Sequence, residues 1–151
     1  MGLKETLQAD LTEAIRSRDE LTSGTIRMIL AAIQVEEVAG KEARTLKDDE
    51  IIKVLSREAK KRREAADAYK DAGRADKAEQ ETKEGSIILK YLPAQLSEDE
   101  VKKIVADAVA EAGATTPQQM GAVMKIVQPK VAGKADGAMV SSLVKAALGA
   151  N

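Results

Sequence analysis

Apolar residues in this chain recur in steps of three and four, the spacing of one face of an α-helix. Leu3, Leu7, Leu11 and Ile15 make a first stripe, with Lys4, Glu5, Asp10, Glu13 and Arg16 around it. The polar run Thr22-Ser23-Gly24-Thr25 predicts a break before a second pattern, Ile26, Ile29, Leu30, Ile33 and Val38, with Gly40 as its stop. The charged stretch Lys41 to Lys47 reads as a loop. Asp48-Asp49-Glu50 then opens a third helix, because acidic side chains suit the positive end of the helix dipole. Ile51, Ile52, Val54, Leu55, Ala59, Ala66 and Tyr69 line its inner side until Gly73 interrupts. A fourth helix runs from about Arg74 to Leu92, where Pro93 cannot continue the backbone ladder.

Beyond Pro93 the start signals are stronger. Ser97 can cap, Glu100 can return the bond, and Leu96 can staple against Val101. Val101, Ile104, Val105, Ala108 and Val109 follow, and Gly113 stops the helix. Thr116-Pro117-Gln118-Gln119 repeats the device, leading into Met120, Val123, Met124 and Val127 and ending near Pro129. Asp136 can cap a last helix bearing Met139, Val140, Leu143, Val144 and Leu148. No segment alternates apolar and polar positions long enough to be a strand. The expectation is an all-α protein: an N-terminal helical domain of about four helices over 1–92, then a small three-helix C-terminal tail domain over 96–151.

Composition removes whole classes of chemistry. The 151 residues include no Cys, His, Trp or Phe, and Tyr69 and Tyr91 are the only aromatics. Thiol nucleophiles, disulfides, imidazole general bases and Cys or His metal ligands are therefore excluded. Carboxylates could still hold a hard cation. However, the pairs Glu36-Glu37 and Asp48-Asp49 are adjacent on helices and point to different sides, so no metal site is expected. No phosphate-binding loop, dinucleotide fingerprint or nucleophile elbow occurs, so no small-molecule cofactor is expected either. MGLKETLQADL lacks a signal-peptide core, and no run has the roughly 20 apolar residues of a membrane span. These features predict a soluble, cytoplasmic chain.

With 24 basic and 25 acidic side chains the net charge is only −1, so any affinity for anions must be local. Lys53, Arg57, Lys60, Lys61, Arg62 and Arg63 form the densest basic cluster, with Glu58 the sole acid between residues 53 and 63. Lys53, Arg57, Lys60 and Lys61 follow helical steps and could meet successive phosphates. The competing reading is a solvated face balanced by acids on neighbouring helices. In the tail, Lys125, Lys130, Lys134 and Lys145 face a single acid, Asp136, from Ala112 onward. Lys134 sits in the turn Gly133-Lys134-Ala135-Asp136-Gly137, whose glycines would admit a phosphate backbone closely; the competing reading is a simple capped turn. Gly121 inside a helix costs about 1 kcal/mol against alanine, which a close approach by another helix or a ligand would justify.

Several strings together resemble the GatB/YqeY family. They are Lys60-Lys61-Arg62-Arg63-Glu64-Ala65-Ala66, Tyr69 with Ala72-Gly73-Arg74, Tyr91-Leu92-Pro93-Ala94-Gln95-Leu96-Ser97, Met120-Gly121-Ala122-Val123-Met124-Lys125 and Gly133-Lys134-Ala135-Asp136-Gly137. They occur in order across nearly the whole chain, which looks like a stand-alone YqeY-type protein. The family also supplies the C-terminal helical and tail region of the aspartyl/glutamyl-tRNA amidotransferase B subunit. The resemblance implies a helical domain with a three-helix tail that holds tRNA, while ligation of carbon to nitrogen with glutamine as donor belongs to other parts of that complex. It therefore predicts a non-catalytic tRNA-binding module, with Met120–Lys125 and Gly133–Gly137 as the matching tail positions. The alternative is an adaptor for proteins of the translation machinery, an aminoacyl-tRNA or amidotransferase enzyme among them.

Overall fold

A computed structural model describes residues 2–149. The described residues form seven α-helices and no strand: α1 (Leu3–Arg16), α2 (Glu20–Glu37), α3 (Asp48–Asp71), α4 (Ala75–Leu89), α5 (Glu98–Ala112), α6 (Met120–Val131) and α7 (Gly137–Ala147). A short 3-10 turn, Pro117–Gln119, precedes α6. The helices gather into two compact units that divide between Leu92 and Pro93.

In the first unit, Leu7, Ile26, Ile29, Ile33, Ile51, Leu55 and Ile88 are fully buried and share one core with Leu46 and Val54. Removing these branched side chains from water is the main term holding the unit together. Long α3 and α4 pack as an antiparallel pair joined at Gly73, whose φ of +75° is the left-handed conformation that closes the turn. Tyr91 donates to Asp10 at 2.6 Å, tying the end of α4 to α1. Burial, then this bond, raises the Tyr91 pKa well above the ordinary phenol value. Glu37 anchors the 38–47 loop, accepting from Lys4 Nζ at 2.7 Å and from the Leu46 N–H at 3.1 Å. Glu50 likewise receives the Lys47 N–H and Arg44.

The second unit is built on smaller side chains. Val101, Val105, Ala108, Val123, Val127, Val131, Val140 and Val144 form its core, with Leu96 packed against it. Ser97 and Glu100 make the expected reciprocal cap, and Gly113 ends α5 at φ +63°. Gln119 accepts from the Thr115 and Thr116 N–H groups, completing the expected capping box with Thr116.

Several local expectations are corrected. Thr22–Thr25 lies inside α2, because Asp19 caps that helix and the Ser23 and Thr25 hydroxyls fold back onto the carbonyls of Glu20 and Leu21. The turn instead falls at Ser17–Asp19, with Arg18 at φ +61°. Helix α2 stops at Glu37, ahead of Gly40, and Val38 is exposed rather than buried. Ile15 is also exposed, and Ala14 takes the inward position. Helix α6 passes through Pro129 to Val131, which completes the buried series Val123, Val127, Val131. A Cβ on Gly121 would meet nothing within 4 Å, so no close approach accounts for that glycine.

Candidate nucleic-acid interface

The basic helix and the tail lysines have opposite electrostatic surroundings. On α3, Arg57 pairs with Glu36 of α2 at 2.7 Å, Lys61 with Glu58 at 3.3 Å, and Lys60 reaches Glu64 at 3.9 Å. Arg62, only 12% exposed, bridges Glu58 at 2.8 Å and Glu84 of α4 at 3.4 Å. Lys53 alone among the candidate residues here is exposed without an ion pair. The acids that answer this cluster are Glu58 and Glu64 of α3 itself, and Glu36 of α2 and Glu84 of α4, many residues away in sequence. Their fields cancel much of the positive charge at the distance of a phosphate.

In the second unit the charges separate by element. Five acids, Glu98, Asp99, Glu100, Asp107 and Glu111, lie on α5, where Glu98 pairs with Lys102. Among the described residues, none of Lys125, Lys130, Lys134 and Lys145 has an ion-pair partner. Lys125, Lys130 and Lys145 are exposed and Lys134 is half-buried. Lys125 and Lys130 are five positions apart, about 140° around α6, so they do not share one narrow face. A ligand that meets both must wrap the helix.

The turn carrying Lys134 is held at its backbone. Its N–H donates to the Val131 carbonyl and its own carbonyl accepts from the Leu96 N–H, both at 2.8 Å. Gln95 Nε2 donates to the carbonyls of Pro93 at 2.7 Å and of Gly133 at 2.8 Å. Gly133 has φ +72°, while Gly137 has open space where a Cβ would sit. Asp136 caps α7 by accepting from the Ala138 N–H. The Pro93–Ser97 and Gly133–Gly137 strings are thus one structural element, and Lys134 projects from a fixed base. Sequence reasoning missed Gln95 as the positioning residue; a glutamine between Ala94 and Leu96 in a motif outside any helix was the available signal.

No group of three or more potential metal-ligating side chains occurs among the described residues, and none of their helices is long and apolar enough to cross a membrane. The model of Yqey-like proteins matches residues 4–148. The chain belongs to the YqeY family. It is similar to the Altered inheritance of mitochondria protein 41, mitochondrial, of Clavispora lusitaniae, 32% identical over 134 residues that cover 87% of this chain and 77% of that protein. It is also similar to an uncharacterised protein of Schizosaccharomyces pombe, 26% identical over 96 residues covering 64% of this chain and 76% of that one. This YqeY chain shares with both a match that spans most of the relative's length.

Proposed function

We propose that this YqeY protein is a non-catalytic module that binds tRNA through its second unit, reading shape and phosphate rather than bases. The observation that carries the reading is the set Lys125, Lys130, Lys134 and Lys145, which have no ion-pair partner among the described residues. The fixed Gly133–Gly137 turn supports it, since a lysine on an anchored backbone loses less freedom when it meets a phosphate. The scarcity of aromatics argues against stacking on unpaired bases. The ion pairs along α3 argue for at most a secondary part for the 53–63 helix. Absence of His and Cys from the chain supports a binding role over a catalytic one.

Titration of the intact chain with tRNA across a salt series tests this. Lys125→Glu with Lys134→Glu should weaken binding at least tenfold and reduce the slope of log affinity against log salt by about 2. Affinity that is unchanged by the double reversal and insensitive to salt would refute the assignment.

A further inference from the structure

Helix α2 is apolar on two sides. Ile26, Ile29 and Ile33 are buried in the first core. On the far side Leu21, Gly24, Met28, Ala31, Val35 and Val38 recur in alternating steps of three and four, the heptad spacing of a helix–helix seam. Much of this second face is open: Val35 is 65% exposed, Val38 58% and Met28 40%, although Arg62 Nη2 of α3 donates to Met28 Sδ at 3.4 Å and Leu21 and Gly24 are half-buried. A Cβ on Gly24 would meet nothing within 4 Å. Of the neighbouring edge positions Thr25 is buried and Ala32 and Ala39 are small, and the opposite edge carries Glu20, Arg27 and Gln34, with Lys41 just beyond the helix. Glu20, Arg27 and Lys41 have no ion-pair partner among the described residues.

We propose that a second copy of this chain docks on this face, with the two α2 helices antiparallel about a two-fold axis. The seam is complementary to itself only in that direction. Antiparallel pairing sets each first heptad position against a fourth position of the other helix. Met28 then lies against Ala31, Val35 against Gly24, and Leu21 against Val38, so that two of these layers match a large side chain with a small one. Parallel pairing instead puts Gly24 on Gly24 and Ala31 on Ala31, leaving voids between layers crowded by Met28 and Val35. The antiparallel edge also brings Glu20 to the end of the other helix where Lys41 lies, and Arg27 beside Gln34, with no like charges opposed. The seam is short, so the dimer forms at micromolar rather than nanomolar concentrations.

Light scattering across a concentration series reads the mass, and cross-linking reads the direction, since the chain has no native cysteine. The unmodified protein should move from monomer toward twice that mass, whereas Val35→Glu should stay monomeric with unchanged circular dichroism. Mixing Gly24→Cys with Val35→Cys should give a mixed disulfide several-fold in excess of either self-linked product. A monomer at every concentration overturns the proposal. So does a dimer in which Val35→Cys links mainly to itself, which is the parallel arrangement.

Discussion

The two units solve the same problem with different materials. The first packs leucine and isoleucine and closes its charges on one another, so that Lys4, Arg44, Arg57, Lys61 and Arg62 each meet a carboxylate. The second packs valine and alanine and leaves four lysines without ion-pair partners among the described residues on and around α6 and α7. Pairing charges across helices fixes register and orientation in the first unit, although it contributes little where the pair is exposed. An unpaired lysine in the second contributes almost nothing to folding, yet keeps its whole field for a ligand. The difference teaches that the densest run of basic residues in a sequence is a poor guide to where positive potential survives folding.

The largest effect should come from the first unit's enclosed charge. Arg62 and Glu58 are each 12% exposed, and Glu84 is 14% exposed. Arg62→Ala leaves Glu84 enclosed without its cation and Glu58 with Lys61 alone, and should lower unfolding free energy by about 3 kcal/mol. Arg57→Ala, whose pair with Glu36 is largely in solvent, should cost no more than about 0.5 kcal/mol. Urea denaturation of both variants gives the comparison. Equal losses would mean that the two pairs differ in geometry but not in weight.

The helices were legible because their signals are local. Ser97 with Glu100, the acids at Asp48–Glu50, Gly73 and Gly113 each specify a terminus through neighbours within a few positions. The α1–α2 turn was not legible. Its left-handed residue is an arginine where glycine is usual, and Ser23 and Thr25 imitate a turn while bonding back to their own helix. Pro129 misleads because the last turn of α6 continues past it to bury Val131. At the candidate interface, the tail lysines were visible as a local excess of charge. The neutralisation of Arg57 by Glu36, and of Arg62 by Glu84, depends on which helices pack together, and no spacing rule encodes that. The contacts of Gln95 and Leu96 with Gly133 and Lys134 escaped for the same reason.

Acid should separate the two units next. Asp19, Glu37 and Glu50, all in the first unit, are held below the usual carboxylate range. For Glu37 the main cause is Lys4, then the Leu46 N–H; for Glu50 it is the Lys47 N–H, then Arg44; for Asp19 it is the N–H and hydroxyl of Thr22. A carboxyl with a folded pKa below its unfolded one stabilises the fold above the unfolded value, about 4. That contribution disappears as pH falls through the folded value. The first unit should therefore weaken below about pH 4.5. Glu37→Gln should flatten this decline while lowering stability at neutral pH, as followed by amide hydrogen exchange in α2 and α3 at stepped pH. An unchanged acid profile would remove Glu37 from the account.

The smallest effect sharpens the comparison by improving the first unit. The Asp19 N–H donates to the Ala14 carbonyl at 2.9 Å and the Arg18 N–H to that of Ile15 at 3.1 Å, the paired bonds of a helix end that normally carries glycine at its left-handed position. Arg18 occupies that position at φ +61°, where a Cβ crowds the carbonyl at a cost of about 1 kcal/mol. Arg18 is exposed and has no ion-pair partner among the described residues, so the side chain returns nothing for the strain. Arg18→Gly relieves the crowding but frees the unfolded chain, and the two terms partly cancel. A net gain of about 0.5 kcal/mol should remain, raising the urea midpoint with an unchanged denaturant slope and leaving the proposed tRNA binding untouched. A loss of stability would show that the turn's geometry is set by the arginine, and a loss of binding would move part of the interface into the first unit.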